Sequence, residues 1–172
     1  MKKKLRIAFT GPESCGKTTL SKLAASHFKW NFIPEYAREF VADKTEYTFE
    51  DLDLMANEQV KRWEEYEESN YIADTEMTVF MIWSKVKYGT VSEQITSLWK
   101  EQQFDIFFLC KPDIPWVYDP LREHPNFREE LFQLYVDFFD SRSLRFVIVK
   151  GNYKERWEIV KNEIERLIEN KK

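Results

Sequence analysis

Eight consecutive residues near the start of the chain, GPESCGKT at positions 11–18, have the types and spacing that bind phosphate. They match the pattern G-x-x-x-x-G-K-[ST], in which glycines let several main-chain N–H groups turn towards one anion. A helix that begins near Gly16 would add the positive end of its dipole. Lys17 can neutralise the β and γ phosphates of a nucleotide, and Thr18 can offer a hydroxyl to Mg²⁺. The sequence therefore predicts a phosphate-binding loop.

Two carboxylates come directly after predicted strands and could complete a phosphoryl-transfer site. Glu35 follows the strand predicted over residues 30–33, and Asp74 follows the one over residues 71–73. In an open α/β sheet, both positions border the ligand crevice. Such a site needs one carboxylate for the metal, which suits Asp74, and one near the acceptor hydroxyl, which suits Glu35. The alternatives are a helix cap for Asp74 and a surface salt bridge for Glu35.

A proline-rich stretch, PDIPWVYDPLREHP, holds four of the six prolines of the chain. Arg122 lies in it and Arg128 follows it. Guanidinium groups on a closing lid can stabilise the charge on a transferred phosphoryl group. We predict a short lid at approximately residues 118–128, with ordinary surface arginines as the alternative. Trp116 is a candidate for stacking on a planar substrate ring, whereas Trp83 is favoured as a core residue.

Other loop positions have two interpretations each. Gly151 and Asn152 follow the last predicted strand, in a loop that can edge an adenine ring in sheets of this type. Glu13 is a carboxylate beside phosphates, which is unusual unless it contacts metal, water or substrate. Cys15 could have a lowered thiol pKa at a helix N-terminus, but we favour the interpretation that it fills a variable position of the motif.

The hydrophobic pattern predicts five strands that alternate with helices. The strands are predicted over residues 5–10, 30–33, 71–73, 104–109 and 144–149. Helices are predicted over residues 16–28, 36–41, 48–68, 75–88, 127–139 and 153–167. This alternation predicts an α/β fold with a parallel sheet covered by helices on both faces. The length of 172 residues favours one domain over residues 1–172.

Charge and composition exclude several classes of protein. The chain has 26 basic and 30 acidic residues, for a net charge of −4, which argues against broad nucleic-acid binding. The longest dense apolar run, residues 104–110, is too short to span a bilayer, and the first residues lack a signal-peptide cleavage site. Two cysteines make neither a disulfide framework nor a zinc cluster. We therefore expect a cytoplasmic protein with no nucleic-acid or membrane partner.

Four segments together resemble the nicotinamide riboside kinase domain of the NadR-type regulators of NAD biosynthesis: GPESCGKTTL, PEYAREF, IADTEMTVFMIWSKVKYG and PDIPWVYDPLR. The resemblance runs over nearly the whole chain, and the segments around E-Y-x-R-E and W-V-x-D-x-L-R are far more particular than the phosphate loop. It implies a P-loop kinase fold of three layers, with a five-stranded parallel sheet and a short lid. It also implies ATP- and Mg²⁺-dependent phosphorylation of nicotinamide riboside at its 5′-hydroxyl, which gives nicotinamide mononucleotide.

The resemblance also implies roles for individual residues. ATP would be bound by Gly11, Pro12, Glu13, Ser14, Cys15, Gly16, Lys17, Thr18 and Thr19. The nucleoside would lie beside Glu35, Tyr36, Arg38, Asp74, Trp116 and Asp119, with Arg122 in the lid. Glu76 stands where related chains often have aspartate, so its role is open. Larger members carry a nucleotidyltransferase domain and sometimes a DNA-binding domain, but this sequence lacks the corresponding length and histidine pair, so kinase activity alone is expected.

Two other functions stay open at this point. The first is a kinase for another nucleoside or nucleotide, whose strand ends and lid would look similar. The second is a non-catalytic ATP-sensing P-loop module, against which the combination of Lys17, Thr18 and Asp74 argues. The sequence leaves open the choice between ATP and GTP, a homo-oligomeric state, any regulation, and which of Glu35 and Asp74 accepts the proton.

Overall fold

A computed structural model describes residues 4–42, 44, 46–117 and 126–170, and in these residues one sheet of five parallel strands forms the centre. The strands are β1 (Arg6–Thr10), β2 (Asn31–Ile33), β3 (Tyr71–Ala73), β4 (Ile106–Cys110) and β5 (Phe146–Val149). Their order across the sheet is β2-β3-β1-β4-β5. β1 is central, and its two neighbours continue towards opposite edges, so a crevice is expected beyond its carboxyl end.

Seven helices pack around the sheet within the described ranges. They are α1 (Lys17–Phe28), α2 (Tyr36–Val41), α3 (Phe49–Glu64), α4 (Met77–Tyr88), α5 (Glu93–Glu101), α6 (Arg128–Asp140) and α7 (Tyr153–Glu169). The predicted α/β class, the parallel sheet and the helices on both faces are confirmed.

The two faces of the sheet are buried by different helices because successive strand side chains point in opposite directions. Ile7 and Phe9 of β1 pack in one cluster with Leu20 of α1 and Val160 of α7. Ala8 lies in another cluster, with residues of α4 and α6. A third cluster joins α2, α3, α4 and α5 to the ends of β2 and β3. Helices therefore pack on both faces of the sheet up to the carboxyl ends of its strands.

The element boundaries differ from the predictions in ways that have physical causes. The strand predicted from Phe104 begins at Ile106, and the Phe104 ring before it packs edge-on against Trp63, with ring centroids 5.1 Å apart. α5 is absent from the predictions, which place one helix between β3 and β4. It is short, and Ile95 is its one buried residue, although Ile95, Leu98 and Trp99 have helical spacing. The Ser92 hydroxyl, which accepts from the Ile95 N–H at 3.1 Å, is the signal that could have found it.

Candidate functional site

The loop between β1 and α1 turns at two glycines whose backbone is left-handed. Gly11 has φ of +127°, and a Cβ built there would lie 2.7 Å from the carbonyl oxygen of Cys110. Gly16 has φ of +86° and directly precedes the first turn of α1. A side chain at Gly11 would collide with backbone, so the loop can lie close to β4 only because this residue is glycine. The start of α1 then faces the crevice, as anion binding requires.

Lys17 holds the loop and supplies its positive charge. Its ammonium donates to the carbonyl oxygens of Gly11 at 2.8 Å and Pro12 at 2.7 Å. Burial by itself would lower the pKa of Lys17, but nearby negative charge, first that of Cys15 and then those of Glu35 and Asp74, raises that pKa above its ordinary value. The ammonium is therefore charged, and both predicted carboxylates act on it electrostatically.

Arg156 of α7 ties the phosphate loop to the ends of two strands. Its side chain is 2% exposed, and it donates to the carbonyl oxygen of Cys15 at 2.9 Å. The same guanidinium donates to the carbonyl oxygens of Gly151 at 2.8 Å and Lys111 at 2.7 Å. Asp113 supplies the balancing carboxylate. A buried, fully engaged arginine thus fixes the loop from behind, in the forked geometry that this side chain allows.

Arg128 fastens the proline-rich connection to the front of the same loop. Its guanidinium donates to the carbonyl oxygens of Ser14 at 3.0 Å and Ile114 at 3.1 Å. It also lies over the Trp116 ring at 5.4 Å. From the other side, the Val117 N–H donates to the Ser14 hydroxyl at 3.1 Å. The connection before the predicted lid is therefore docked on the loop through Nη1 and Nη2 of Arg128.

Glu35 places a carboxylate in the crevice at the start of α2. It follows Pro34, which ends β2, and its side chain is 16% exposed. Its Oε2 lies 3.3 Å from Nε of Arg38, one turn further along α2. The salt bridge weighed from the sequence is thus present, but it lies in the cleft beside the phosphate loop, where it can also orient a ligand.

Asp74 is buried at the carboxyl end of β3, and its side chain has the chemistry of a magnesium ligand. Burial, and then the charge of Glu35, raise the pKa of Asp74 to about 7, while a hydrogen bond to the Thr18 hydroxyl opposes the rise. Its Oδ1 is buried and makes no hydrogen bond in the part of the chain that the structure describes. An orphaned carboxylate oxygen next to a threonine hydroxyl fits Mg²⁺, which prefers oxygen ligands.

The described residues contain no group of three His, Cys, Asp or Glu side chains placed to hold a metal ion. Mg²⁺ commonly takes only one or two protein ligands and completes its shell with phosphate oxygens and water. Among the described residues, Thr18 and Asp74 are thus the two that would hold it.

Glu76, the position whose role the sequence leaves open, is a structural residue. It is fully buried, and the Thr10 hydroxyl donates to its Oε1 at 2.7 Å. Its Oε2 accepts from the Thr78 N–H at 2.7 Å and from the Gln102 amide at 3.0 Å. Burial raises the pKa of Glu76, and these hydrogen bonds oppose the rise. The side chain caps α4 and ties it to β1, and its oxygens are already engaged.

The Cys15 thiol is packed within the loop. Its Sγ donates to the carbonyl oxygen of Pro12 at 2.9 Å and is 1% exposed. Burial alone would raise its pKa, but a hydrogen bond with Cys110 and the charge of Lys17 lower it to about 6. The lowered thiol pKa weighed from the sequence is therefore present, and the interpretation that Cys15 only fills a variable position of the motif stays a prediction.

A cleft of about 200 Å³ extends from the phosphate loop across Glu35 and Arg38. Beyond these polar groups its wall is largely apolar and includes Val41, Val79, Ile82, Trp83, Val86 and Leu131. The indole N–H of Trp83 donates to the Tyr47 hydroxyl at 2.7 Å, which fixes the plane of the ring. Trp83 packs on the core, as the sequence favours, and also lines the cleft. A flat, apolar ring of a ligand would fit this wall.

A sequence profile described as an AAA domain matches residues 6–156, which is most of the chain. This chain belongs to the AAA domain family. The match includes the phosphate loop, both cleft carboxylates and Arg156.

Two relatives of this AAA domain are proteins of NAD biosynthesis and its regulation. The trifunctional NAD biosynthesis/regulator protein NadR of Escherichia coli K12 is 27% identical over 154 residues, which cover 84% of this chain and 38% of the relative. NadR of Salmonella typhimurium LT2 is 26% identical over 170 residues, which cover 90% of this chain and 42% of the relative. The AAA domain thus spans about two-fifths of the length of these relatives. The resemblance to NadR is confirmed.

Solved structures agree on the fold. A crystal structure of NadR in complex with NR has a TM-score of 0.81 at 18% identity and covers 95% of this chain and 51% of that one. Deoxyadenosine kinase from M. mycoides has a TM-score of 0.68 at 18% identity and covers 94% of this chain and 100% of that one. The AAA domain is therefore a nucleoside- or nucleotide-kinase-like P-loop domain, and the predicted P-loop kinase fold is confirmed.

Several predicted site residues lie together and others lie apart. Residues 11–19, Glu35 and Arg38 line one cleft, and Asp74 is buried beside it. Tyr36 is not among the residues that line this cleft; its ring lies under the Arg62 guanidinium at 4.5 Å. Asp119 and Arg122, with most of the predicted lid, lie outside the described residues.

Gly151 and Asn152 form hydrogen bonds with the first turn of α7 in the structure. The Asn152 side chain caps the helix by accepting from the Glu155 N–H at 3.0 Å, and the Gly151 carbonyl accepts from Arg156. Neither residue is among those that line the cleft. Their contact with an adenine ring stays a prediction.

Two residues of the site are absent from the sequence-based predictions. Arg156 occupies the inner face of α7 with Val160, Ile164 and Leu167, and a charged residue within that apolar stripe is the signal that could have found it. Tyr135 lines the cleft from α6, but its position in an amphipathic stripe is indistinguishable from that of a core aromatic.

Among the described residues, no helix is both long and apolar enough to span a membrane.

Proposed function

We propose that this AAA domain transfers the γ-phosphoryl group of ATP to the 5′-hydroxyl of nicotinamide riboside and so makes nicotinamide mononucleotide. The observation that carries the proposal is that the phosphate loop with Lys17 and the carboxylate of Glu35 line one cleft, and that Asp74 is buried beside it. A phosphate-binding cation and two carboxylates beside an apolar wall support a donor and an acceptor in one site.

The donor half would hold the triphosphate through the loop and its surroundings. Main-chain N–H groups of residues 11–18 and the start of α1 favour anionic oxygens. Lys17 would exchange the carbonyls of Gly11 and Pro12 for phosphate oxygens. Arg156 and Arg128 hold the loop from two sides, so little reorganisation is needed when the nucleotide binds, which favours catalysis by positioning.

Magnesium fits the same half of the site. Thr18 and Asp74 would hold the ion, and when bound it would neutralise charge on the β and γ phosphates. The ionised form of Asp74 is the one that binds a cation, and Lys17 already favours that form.

The acceptor half would orient the hydroxyl that attacks. Glu35 is held by Arg38 and would accept the hydrogen bond of the 5′-hydroxyl. As the new O–P bond forms and the bond from the γ-phosphorus to the bridging oxygen breaks, the hydroxyl proton would pass to Glu35 and ADP would leave. Since the transition state of phosphoryl transfer is loose, this chain contributes mainly alignment and charge. Asp74 is the alternative acceptor of the proton, and Arg122 and Arg128 are proposed to neutralise the transferred group.

Nicotinamide riboside is favoured over other acceptors by two features. NadR, whose crystal structure with NR is similar to this one, is related over most of this chain. The nicotinamide ring of the riboside is flat and cationic, so it suits an apolar wall with Trp83 and a cleft that carries the carboxylate of Glu35 and has Asp74 buried beside it. Cation–aromatic contact would add to the attraction.

A kinase for another nucleoside is the second candidate. The wall beyond Glu35 is built of Val41, Val79, Ile82 and Val86, and these side chains offer no hydrogen-bonding groups to the edge of a base. Without such contacts, a site discriminates weakly between rings of similar size. The fold is also shared with deoxyadenosine kinase.

The test is a competition assay with purified protein, Mg²⁺ and either ATP or GTP. Nicotinamide riboside, adenosine, cytidine and deoxyadenosine are supplied together, and the phosphorylated products are separated. We expect nicotinamide mononucleotide to have the highest kcat/KM. A different dominant product would establish the second candidate. ATP binding without any phosphorylated acceptor would instead favour a non-catalytic ATP-sensing module.

A further inference from the structure

Gln59 on α3 carries a buried amide whose two ends both bind the turn between β2 and α2. The residue is fully buried. Its Oε1 accepts from the Tyr36 N–H at 2.8 Å, and its Nε2 donates to the Pro34 carbonyl oxygen at 3.2 Å. The residue between these two is Glu35. One side chain therefore holds the main chain immediately before and immediately after the carboxylate of the acceptor half.

Gln59 occupies a position at which the core would be expected to take an apolar residue. Its neighbours on the inner face of α3 include Leu52, Met55 and Trp63, and these lie in one apolar cluster with residues of β2 and α2. Burying an amide costs free energy unless its groups are hydrogen-bonded. The two bonds of Gln59 reach main chain 23 and 25 positions away. The amide thus gives the β2–α2 turn a fixed geometry that an apolar side chain of the same size would not.

The Gln59 contact also leaves the Glu35 carboxylate available to a ligand. Glu35 precedes the first turn of α2, where an acidic side chain commonly accepts hydrogen bonds from the free N–H groups of a helix. In the described part of the chain, Glu35 makes no such capping hydrogen bond. The Gln59 amide accepts instead from the first N–H of α2, that of Tyr36. The Glu35 side chain can therefore lie in the cleft beside Arg38.

A second contact between α3 and α2 is weaker. One turn after Gln59, the Arg62 guanidinium donates to both carboxylate oxygens of Glu39 at 2.7 Å. The Glu39 side chain is 53% exposed, and ion pairs at the surface contribute little to stability. The buried amide is therefore the contact that fixes the start of α2. Among the described residues, Gln59 is not one of those that line the cleft.

We propose that Gln59 is a positioning residue for phosphoryl transfer, which acts through Glu35 by fixing the main chain on both sides of it. This inference rests on the proposed function, because it assigns a residue that directs the carboxylate of that same site. A displacement of about 1 Å that originates far from the chemistry can cost about 10²-fold in rate. Loss of the two Gln59 hydrogen bonds should therefore lower kcat and leave the phosphate loop, with its ATP contacts, unchanged.

The alternative is that Gln59 only stabilises the fold. Its replacement would then act on the rate through the folded structure as a whole, by the same factor whether or not Glu35 can act. A residue that acts through Glu35 loses its effect once the Glu35 carboxylate is removed. A double-mutant cycle between the two residues separates these cases.

The experiment measures kcat with ATP and nicotinamide riboside, and ATP affinity, in Gln59→Met, Glu35→Gln and the double variant. Methionine matches the length of glutamine and removes both hydrogen bonds. We expect Gln59→Met to lower kcat about 10- to 100-fold and to change ATP affinity by less than about 2-fold. In the Glu35→Gln background, the same change should lower kcat no further. If Gln59→Met does not fold, Gln59→Asn replaces it in the cycle, because its shorter amide cannot reach both main-chain groups.

Gln102 provides the matched control. Its amide holds the β3–α4 turn in the same way: Oε1 accepts from the Met77 N–H at 2.9 Å, and Nε2 donates to Glu76 Oε2 at 3.0 Å. Neither contact involves the main chain beside Glu35. Gln102→Met should therefore change kcat by the same factor in the wild-type and Glu35→Gln backgrounds.

Two outcomes overturn the inference on Gln59. The first is an effect of Gln59→Met on kcat that is equally large in the Glu35→Gln background, and the second is a normal kcat in folded Gln59→Met.

A measurement without turnover separates this inference from the proposed function. The ¹³C carboxyl NMR signal of Glu35 is identified by its loss in Glu35→Gln, and it should shift in Gln59→Met but not in Gln102→Met. That pattern in a protein that phosphorylates no nucleoside would keep the positioning of Glu35 by Gln59 and reject the kinase. Turnover by wild type, with an unmoved Glu35 signal in Gln59→Met, would do the reverse.

Discussion

Arg156 donates to the main-chain carbonyl of Cys15 at 2.9 Å across 141 positions of sequence. The contact joins the last helix of the chain to the middle of the phosphate loop. Because the guanidinium is almost completely buried and Asp113 is its carboxylate partner, removal of either partner would lower the free energy of unfolding strongly. The shape of the loop thus depends on a residue that does not itself line the cleft.

Replacing Arg156 should therefore damage stability and nucleotide binding together. Arg156→Ala leaves the carbonyls of Cys15 and Lys111 and the carboxylate of Asp113 without their donor. Breaking a buried ion pair costs about 3–5 kcal/mol, and we expect a loss of this order in urea unfolding, with weaker ATP binding in calorimetry. Arg166→Ala, on the exposed side of the same helix, should cost less than about 0.5 kcal/mol. Equal effects of the two changes would contradict the clamp.

Lys17→Ala should abolish turnover and leave the fold intact. The ammonium contacts only loop carbonyls and the Cys15 sulfur, so its removal creates no cavity in the core. We expect kcat/KM to fall about 100-fold or more, as for other groups that stabilise transition-state charge, with an unchanged circular dichroism spectrum. Lys22→Ala, which removes an exposed cation of the same helix, is the control. A normal rate in Lys17→Ala would overturn the site assignment.

Glu35→Gln should lower kcat far more than it lowers ATP affinity. The amide keeps the size of the side chain but accepts no proton, and general-base catalysis contributes about 10²–10⁴-fold. Steady-state kinetics and ATP titration check the two quantities. Glu39→Gln, on the same helix and paired with Arg62 at the surface, should change neither. A parallel loss of rate and ATP affinity in Glu35→Gln would point to a structural role for Glu35.

Asp74→Asn should stabilise the protein when no nucleotide or metal is present. Because the folded-state pKa of Asp74 is raised to about 7 from an unfolded value near 4, the folded state holds a proton that the unfolded chain has lost. The carboxylate thus destabilises the fold increasingly as the pH rises from about 4 to about 7.

We expect Asp74→Asn to raise Tm in EDTA by about 2–8 °C at pH 8, which corresponds to about 1–2 kcal/mol, and by less at pH 5. Asp140→Asn, an exposed aspartate at the end of α6, should show no such dependence. A stabilisation that is the same at both pH values would mean that burial of the ionised Asp74 carboxylate does not destabilise the folded state. Turnover should be lost in Asp74→Asn at either pH.

Local signals in the sequence predict much of this fold. The strand before Gly11, a helix that begins near Thr48 and a helix that ends at Tyr88 are all present as predicted. Each depends on neighbours a few residues away. Glu35 could be placed as well, because parallel strands bring their carboxyl ends to one edge.

The remaining parts of the site depend on contacts between distant segments. Arg156 meets Cys15 only because α7 and the phosphate loop pack on the same face of the sheet. Tyr135 lines the cleft because α6 packs beside it, far along the chain from the phosphate loop. Glu76 differs from the pattern of related sequences, but its partners Thr10 and Gln102 come from other elements. Local pattern carries no information about such pairs.

The central claim is that the phosphate loop and the carboxylates of Glu35 and Asp74 form one phosphoryl-transfer site. Its most direct test is ³¹P NMR of a single reaction that contains the protein, ATP, Mg²⁺ and nicotinamide riboside. We predict that ADP and a 5′-phosphomonoester of the riboside appear together in equal amounts, and that Lys17→Ala produces neither. Release of inorganic phosphate in place of the monoester, or ATP that remains intact at high protein concentration, would contradict the account.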